Sequence, residues 1–380
     1  MSIDGWVDDV ARSIAARAER ELRSLVGVSS PSGDVAGAEE AFAVAEALAP
    51  EHAAAGRLPC SSPEHAPDLV LRLTGTGSGR LLLVGHVDTV VAHGAHRPLT
   101  EDGPRLAGSG TVDMKGGVVL ALGILRALAG RTSDFAEAAL LLVCDEEWRT
   151  APFAHAERFA GFGACLCFEA GQLTEDGDDA VVVKRKAAGT LRVRAHGRHS
   201  HSGSAPDRGV NALLALAEAA QLVAGHHAPD SEGRLTAVPT VMRSGDAFNV
   251  VPAEGELVCD LRADDHRAFE VVRAGIPPEI GGARMETEML RVWPGMDSRD
   301  STAGLLARTT EMLGRPVVAA GRGGASDASH FAASIPLTVD GLGPRGGGAH
   351  APHEHVLRES LRSRAEVAAA MVHAWLTTSS

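Results

Sequence analysis

The chain of 380 residues contains no tyrosine, and aromatic residues make up only 3% of it. It has no basic tract beyond Lys184-Arg185-Lys186. An aromatic-basic stripe for stacking a nucleic-acid strand is therefore absent. Asp plus Glu number 49 against 36 Lys plus Arg, a net charge of −13 at pH 7, which disfavours binding to a phosphate backbone. A small anion could still be held by a local cluster of arginines. Long apolar runs are missing too. The longest, GGVVLALGILRALAG, is broken by Arg126 and is short for a membrane span. The N-terminal stretch MSIDGWVDDVARSIAARAERELRSLV is charged and patterned as an amphipathic helix. It has no basic segment leading into an apolar one, so no secretory signal is expected. The cysteines are five, an odd number: Cys60, Cys144, Cys165, Cys167 and Cys259. With no signal peptide this predicts a reducing, cytoplasmic setting. Cys165 and Cys167 alternate along one apolar strand beside Leu166 and Phe168, which favours core packing over a thiolate metal pair.

What the chain does have is a normal globular balance, 44% hydrophobic and 22% charged. Its length predicts two domains. In the first half, helical patterns over 38–49 and 116–129 alternate with apolar runs at 69–73, 80–85, 138–144 and 164–168. Continuous apolar strands between helices predict a mostly parallel α/β sheet. The middle differs. Alternating strands are expected at 189–196, 236–243, 254–262 and 285–293, with helices at 210–224 and 264–275. That order, β-α-β-β-α-β, is the order of a ferredoxin-like α+β unit. The α/β style then resumes, with helices at 302–313, 326–333 and 359–376 and a strand at 335–339. The expected organisation is a discontinuous catalytic domain, 1–186 and 296–380, split by an inserted domain, 187–295.

Acidic and histidine residues recur where the buried runs stop. His86 and Asp88 lie in GHVDTV, Asp113 in GTVDMKGG, Glu146 and Glu147 in CDEEW, Glu169 in CFEAG, and His350 in GGGAHAPHEH. The C-terminal edge of a parallel sheet is where ligands bind. Each position has a plainer explanation when taken alone. His86 could be structural, Asp113 a helix cap or turn residue, the Asp145–Glu147 run a solvated acidic turn, and Glu169 a surface residue. Spacing alone does not choose among His350, His353 and His355. Together, four of the five patches follow predicted parallel strands. Mixed histidine and carboxylate donors without cysteine favour zinc, with cobalt or manganese as alternatives. A carboxylate two residues after His86 is suited to fixing the ring's tautomer and direction.

The ordered set HxDTV, GxVDMKGG, DEE, FE and GGGAHxxxE resembles the dinuclear-zinc aminoacylase and carboxypeptidase family. That family includes glutamate carboxypeptidase, acetylornithine deacetylase and succinyl-diaminopimelate desuccinylase, and the likeness runs from SPSG near Ser30 to GAHAPHEH. The resemblance implies a zinc-peptidase catalytic domain with an inserted ferredoxin-like lid that also dimerises. It implies two zinc ions bridged by Asp113, with His86 and Glu169 completing one site and Glu147 and His350 the other. Glu146 is then the general base toward a metal-bridging water, and Asp88 orients His86. In the inserted domain, HSHSGSAPDRGVNA resembles the lid segment and implies His201 as an oxyanion donor. Asn249 and Arg262 correspond to positions that hold a substrate carboxylate; apart from the resemblance, His201 and Asn249 read as turn residues and Arg262 as a strand-edge residue. Gly323, Gly324 and Ser326, opening a helix, are candidates for an anion cradle. The activity implied is hydrolysis of an N-acyl amino acid or small peptide with a free carboxylate, or N-deacylation of the acetylornithine or succinyl-diaminopimelate kind. A catalytically dead peptide-binding relative is disfavoured by the complete set. The chain departs from the family at Trp148-Arg149-Thr150, where small residues are usual. The segment after Glu169 also lacks the residues that recognise a glutamate side chain.

Overall fold

The apolar runs that end on chemistry lie side by side. The structure, a computed structural model, describes residues 3–379 and contains a six-stranded sheet. Its order is Ala54–Leu58, Asp68–Thr74, Glu137–Val143, Arg80–His86, Ala164–Cys167 and Leu337–Val339. The last four strands are parallel and the first two join antiparallel. Arg80–His86 is central, with His86 opposite Val143 on one side and Val84 opposite Cys167 on the other. From Leu81 onward this strand is buried at every position, as is Glu137–Val143 after Glu137. Both faces are covered, so the alternation of a half-exposed strand is lost. Cys165 and Cys167 are buried free thiols within it.

Three helices, Gly5–Gly27, Gly116–Leu128 and Ser360–Ser379, pack with one another and contribute to the same core. Gly116–Leu128 is buried almost all round, as its uninterrupted apolar sequence requires. Gly117 lets its first turn approach the sheet. A Cβ there would meet the Phe168 carbonyl oxygen at 1.8 Å. The Met-Lys-Gly-Gly run thus seats Asp113 near the end of the strand that leads to Glu169.

A second compact unit comprises Arg185–Met296 with Arg322–Ala325. It holds a five-stranded antiparallel sheet ordered Thr236–Ser244, Glu254–Ala263, Ala187–His196, Ala283–Trp293 and Glu279–Ile280. Helices Ala212–Ala224 and Ala268–Ala274 contribute to its core, so the long elements run strand, helix, strand, strand, helix, strand. Leu191, Val193 and Ala195 are buried, while Arg192 and Arg194 between them pair with Glu256. Pro239, which has no N–H to give, lies in the edge strand, where the register shifts.

Several details differ from the sequence reading. Asp179–Arg185 and Val317–Arg322 are additional strands. The helix expected over 326–333 is only Ala328–Phe331, because Asp327 already stands at the cap position and the turn closes at Ala332. The strand expected at 335–339 begins at Leu337, after Pro336.

Candidate metal centre

The parallel register brings the ends of three strands together. His86 is the last residue of the central strand, Glu146 and Glu147 follow the neighbour on one side, and Glu169 follows the neighbour on the other. The His86 ring is buried and its Nδ1 lies 3.1 Å from the Asp88 backbone oxygen and 3.3 Å from Asp88 Oδ1. With Nδ1–H donating there, the Nε2 lone pair points toward Asp113 Oδ1 at 3.2 Å and Glu169 Oε1 at 3.8 Å. A lone pair aimed at two carboxylates calls for a proton or a cation between them. Burial opposes charging of His86, yet Asp113 and Asp88 hold its pKa well above the ordinary imidazole value.

Asp113 does not cap the helix that follows, which has no side-chain cap bond. Its own backbone is non-helical, at φ −128° and ψ 89°. Its loop is held from elsewhere, because the buried Glu354 carboxylate accepts the N–H groups of Gly110, Val112 and Asp113 at 2.9, 2.9 and 3.1 Å. While Oδ1 of Asp113 faces His86, Oδ2 lies 3.2 Å from His350 Nε2. The same His350 nitrogen is 3.0 Å from Glu147 Oε2. His350 adopts φ 64° beside Gly348 at φ 73°, a left-handed turn that is costly for a residue with a Cβ. Hydrogen bonds to Asp113 and Glu147 raise the His350 pKa to about 10.

The three carboxylates of the acidic turn are used differently. Asp145 is turned inward, accepting Ser62 N and Oγ at 3.0 and 2.7 Å and Arg149 Nη2 at 2.9 Å. Arg149 is buried and also reaches Asp327, at 2.7 and 3.2 Å. Glu147 faces His350. Glu146 belongs to neither donor group. Loss of solvent, reinforced by the charges of Glu169, Asp327 and Glu147, raises its pKa well above the usual carboxylate range even though His86 pulls the other way.

Two donor groups therefore share one residue: His86, Asp113 and Glu169, and Asp113, Glu147 and His350. Within each, the donor atoms lie within 4.8 Å of one another. Nitrogen and oxygen donors in sets of three suit zinc-type cations with a position left open. His353 and His355 are in neither group.

The other predicted site residues are distributed as follows. His201, Asn249, Arg262, Gly323 and Gly324 lie in the second unit. His201 is exposed, and its Nδ1 accepts the N–H groups of Gly203 and Ser204 at 3.1 and 3.2 Å, leaving Nε2 as the donor nitrogen. Asn249 is exposed and its backbone oxygen accepts Ser202 N. Arg262 pairs with Asp260 at 3.0 Å. The Gly324 carbonyl accepts Arg185 Nη1 at 2.8 Å. Ser326, in the first unit, is buried and donates its hydroxyl to Asp340 at 2.5 Å. Glu354 and the Asp145–Arg149–Asp327 cluster join the site without having been among the residues expected there. The spacing GGGAHxxxE contained the signal for Glu354. Arg149 had none, since Asp327, its partner beyond the local Asp145, comes from a distant segment.

Donor groups of this kind on the C-terminal edge of a parallel sheet, in a two-unit chain, define a metal-dependent hydrolase. The chain belongs to peptidase family M20/M25/M40, whose model matches residues 82–374. It is 27% identical over 323 residues to carboxypeptidase G2 from a Pseudomonas species, covering 80% of this chain and 76% of that protein. It is 29% identical over 316 residues to succinyl-diaminopimelate desuccinylase from Rhodospirillum centenum, covering 75% of this chain and 79% of that one. Its fold is similar to that of aminopeptidase PepT from Bacillus cereus, with a TM-score of 0.76, 20% identity, and 95% and 98% of the two chains covered. It is also similar to that of an M20 family metallo-carboxypeptidase from Sulfolobus solfataricus, with a TM-score of 0.72, 16% identity, and 95% and 99% covered.

Proposed function

We propose that this protein is a dinuclear metal-dependent amide hydrolase acting on an N-acyl amino acid or small peptide with a free carboxylate. The observation that carries this reading is Asp113, whose two oxygens face separate histidines in two donor groups. His86 and Glu169 would hold one cation and Glu147 and His350 the other. Zinc is the first choice for these donors, with cobalt or manganese as substitutes. Cations held there supply Lewis acidity toward a scissile carbonyl and acidify water.

The chain's own residues do the rest. Asp88 keeps His86 in the tautomer that presents Nε2. Glu146, outside both groups and with a raised pKa, takes a proton from the attacking water and gives it to the leaving amine. His201 would donate Nε2–H to the developing oxyanion. Arg262 and Asn249 would hold the substrate carboxylate, with Gly323, Gly324 and Ser326 as further anion contacts. For Arg262 this means leaving Asp260 for the incoming carboxylate. The second unit would also form a homodimer contact, and the enzyme would work in the cytoplasm.

A second reading, biosynthetic N-deacylation, is supported by the desuccinylase relatives, which are as similar in sequence as the carboxypeptidase. The two differ in which side of the amide is recognised. A hydrolysis screen that varies the acyl and the amine side separately, on protein of known metal content, tests both. Cleavage restricted by the amino-acid side supports the carboxypeptidase type, and restriction by the acyl side the deacylase. Full amide hydrolysis by metal-free protein would sink the proposal altogether.

A further inference from the structure

Away from the Asp113 centre, two thiols and a carboxylate converge. Cys60 follows the strand Ala54–Leu58, Asp68 opens the strand Asp68–Thr74, and Cys144 follows Glu137–Val143. The last two strands are antiparallel neighbours with Leu69 opposite Leu142, which brings Asp68 beside Cys144. The two sulfurs and a carboxylate oxygen lie within 4.8 Å of one another. Asp68 and Cys144 are buried, Cys60 is partly exposed, and both cysteines are free. Asp68 is fixed in place, since Oδ1 accepts Cys144 N at 3.1 Å and Oδ2 faces His155 Nε2 at 2.8 Å. His155 is fully buried and its Nδ1 has no hydrogen-bond partner, so Nε2 carries the proton given to Asp68. Hydrogen bonding of this sort orients a metal-ligating carboxylate.

We propose that Cys60, Cys144 and Asp68 form a further metal site, for one thiophilic divalent cation of the zinc or cadmium type. Two thiolates and a carboxylate are softer donors than the histidine and carboxylate groups around Asp113. Three protein donors would leave a fourth position for water. Binding replaces two S–H bonds with two S–metal bonds and releases two protons to solvent. The Cys144 thiol also gives up its hydrogen bond to the Ala66 carbonyl, 3.2 Å away. While both thiols start protonated, two released protons make the affinity climb about 100-fold per pH unit. Cys144 leads directly into Asp145–Glu147, so an occupied site would tie the Cys60 loop to the turn that carries Glu146 and Glu147.

The test is a cadmium titration of the full-length, metal-stripped protein under a phosphine reductant, following thiolate-to-cadmium absorption in the ultraviolet. One equivalent should saturate the band. Cys60→Ser, at a partly exposed position where folding is least at risk, should weaken binding by about 10-fold or more and remove one thiolate from the band. Cys144→Ala should remove the other. His350→Ala, which disrupts the Asp113 centre, should leave the band unchanged, so the two sites are read separately. No thiolate band on titration, or a band indifferent to both Cys60→Ser and Cys144→Ala, overturns the proposal.

Discussion

The Asp88 carboxylate accepts the backbone N–H of Glu147 at 3.1 Å through Oδ2, while its Oδ1 stands 3.3 Å from His86 Nδ1. Oδ1 also accepts Glu146 N at 3.3 Å. One buried carboxylate thus sets the direction of a histidine on the central strand and the shape of the acidic turn on its neighbour. Asp88→Ala is expected to release both, lowering metal affinity by about 10- to 100-fold. Metal titration by calorimetry on the folded variant measures this. An unchanged affinity would show that strand geometry alone orients His86.

Glu146→Gln keeps the size of the side chain and removes its ability to take a proton. Metal content should stay at the wild-type level, because Glu146 is in neither donor group. Turnover should fall by about 100- to 10,000-fold. A variant with normal kcat would exclude Glu146 as the base, and one that loses metal would make it a ligand.

Arg149 pairs with both of the buried carboxylates Asp145 and Asp327. Arg149→Met should cost about 3–5 kcal/mol of stability, since it strands two buried charges. Adding Asp327→Asn should recover part of that loss in a urea-unfolding series. If the single variant is as stable as the wild type, solvent already reaches the two carboxylates.

His330 stacks on Phe153 with ring centroids 4.6 Å apart. Burial, together with the charge of Arg149, lowers its pKa from 6.5 to about 3. Between those values the unfolded chain binds the proton and the folded chain does not. The stability is therefore full above pH 6.5 and is lost as the pH falls toward 3. From pH 7 to 5 this one residue should cost about 2 kcal/mol. His330→Phe keeps the stacking, so its unfolding free energy should fall by about 2 kcal/mol less over that interval. Equal losses in the two proteins would assign the acid lability to other groups.

Much of the catalytic sheet could be read from the chain because its strands are unbroken apolar runs, buried on both faces, and end on residues that have no place in a core. The alternating strands of the second unit were legible for the opposite reason, one face being apolar and the other polar. Asp179–Arg185 was harder to see, because its apolar centre is flanked by acidic and basic residues that conceal a strand. The four-residue helix after Ser326 was overextended because nothing in the local pattern marks Asp327 as a buried partner of Arg149.

The sequence by itself determined which residues could carry metal chemistry, since that depends on side-chain type and on where apolar runs stop. It also determined that Glu354 follows His350 at a set spacing. It could not decide whether Asp113 was a cap or shared between two donor groups, which of three histidines meets Asp113 and Glu147, or which of three adjacent carboxylates is left over. Those outcomes depend on distances between segments far apart in the chain. Parallel register sets the strand ends side by side, Glu354 ties the Asp113 loop, and Arg149 draws Asp145 away from its neighbours. Only the tertiary structure sets those distances, because each is the sum of packing constraints that no single segment contains.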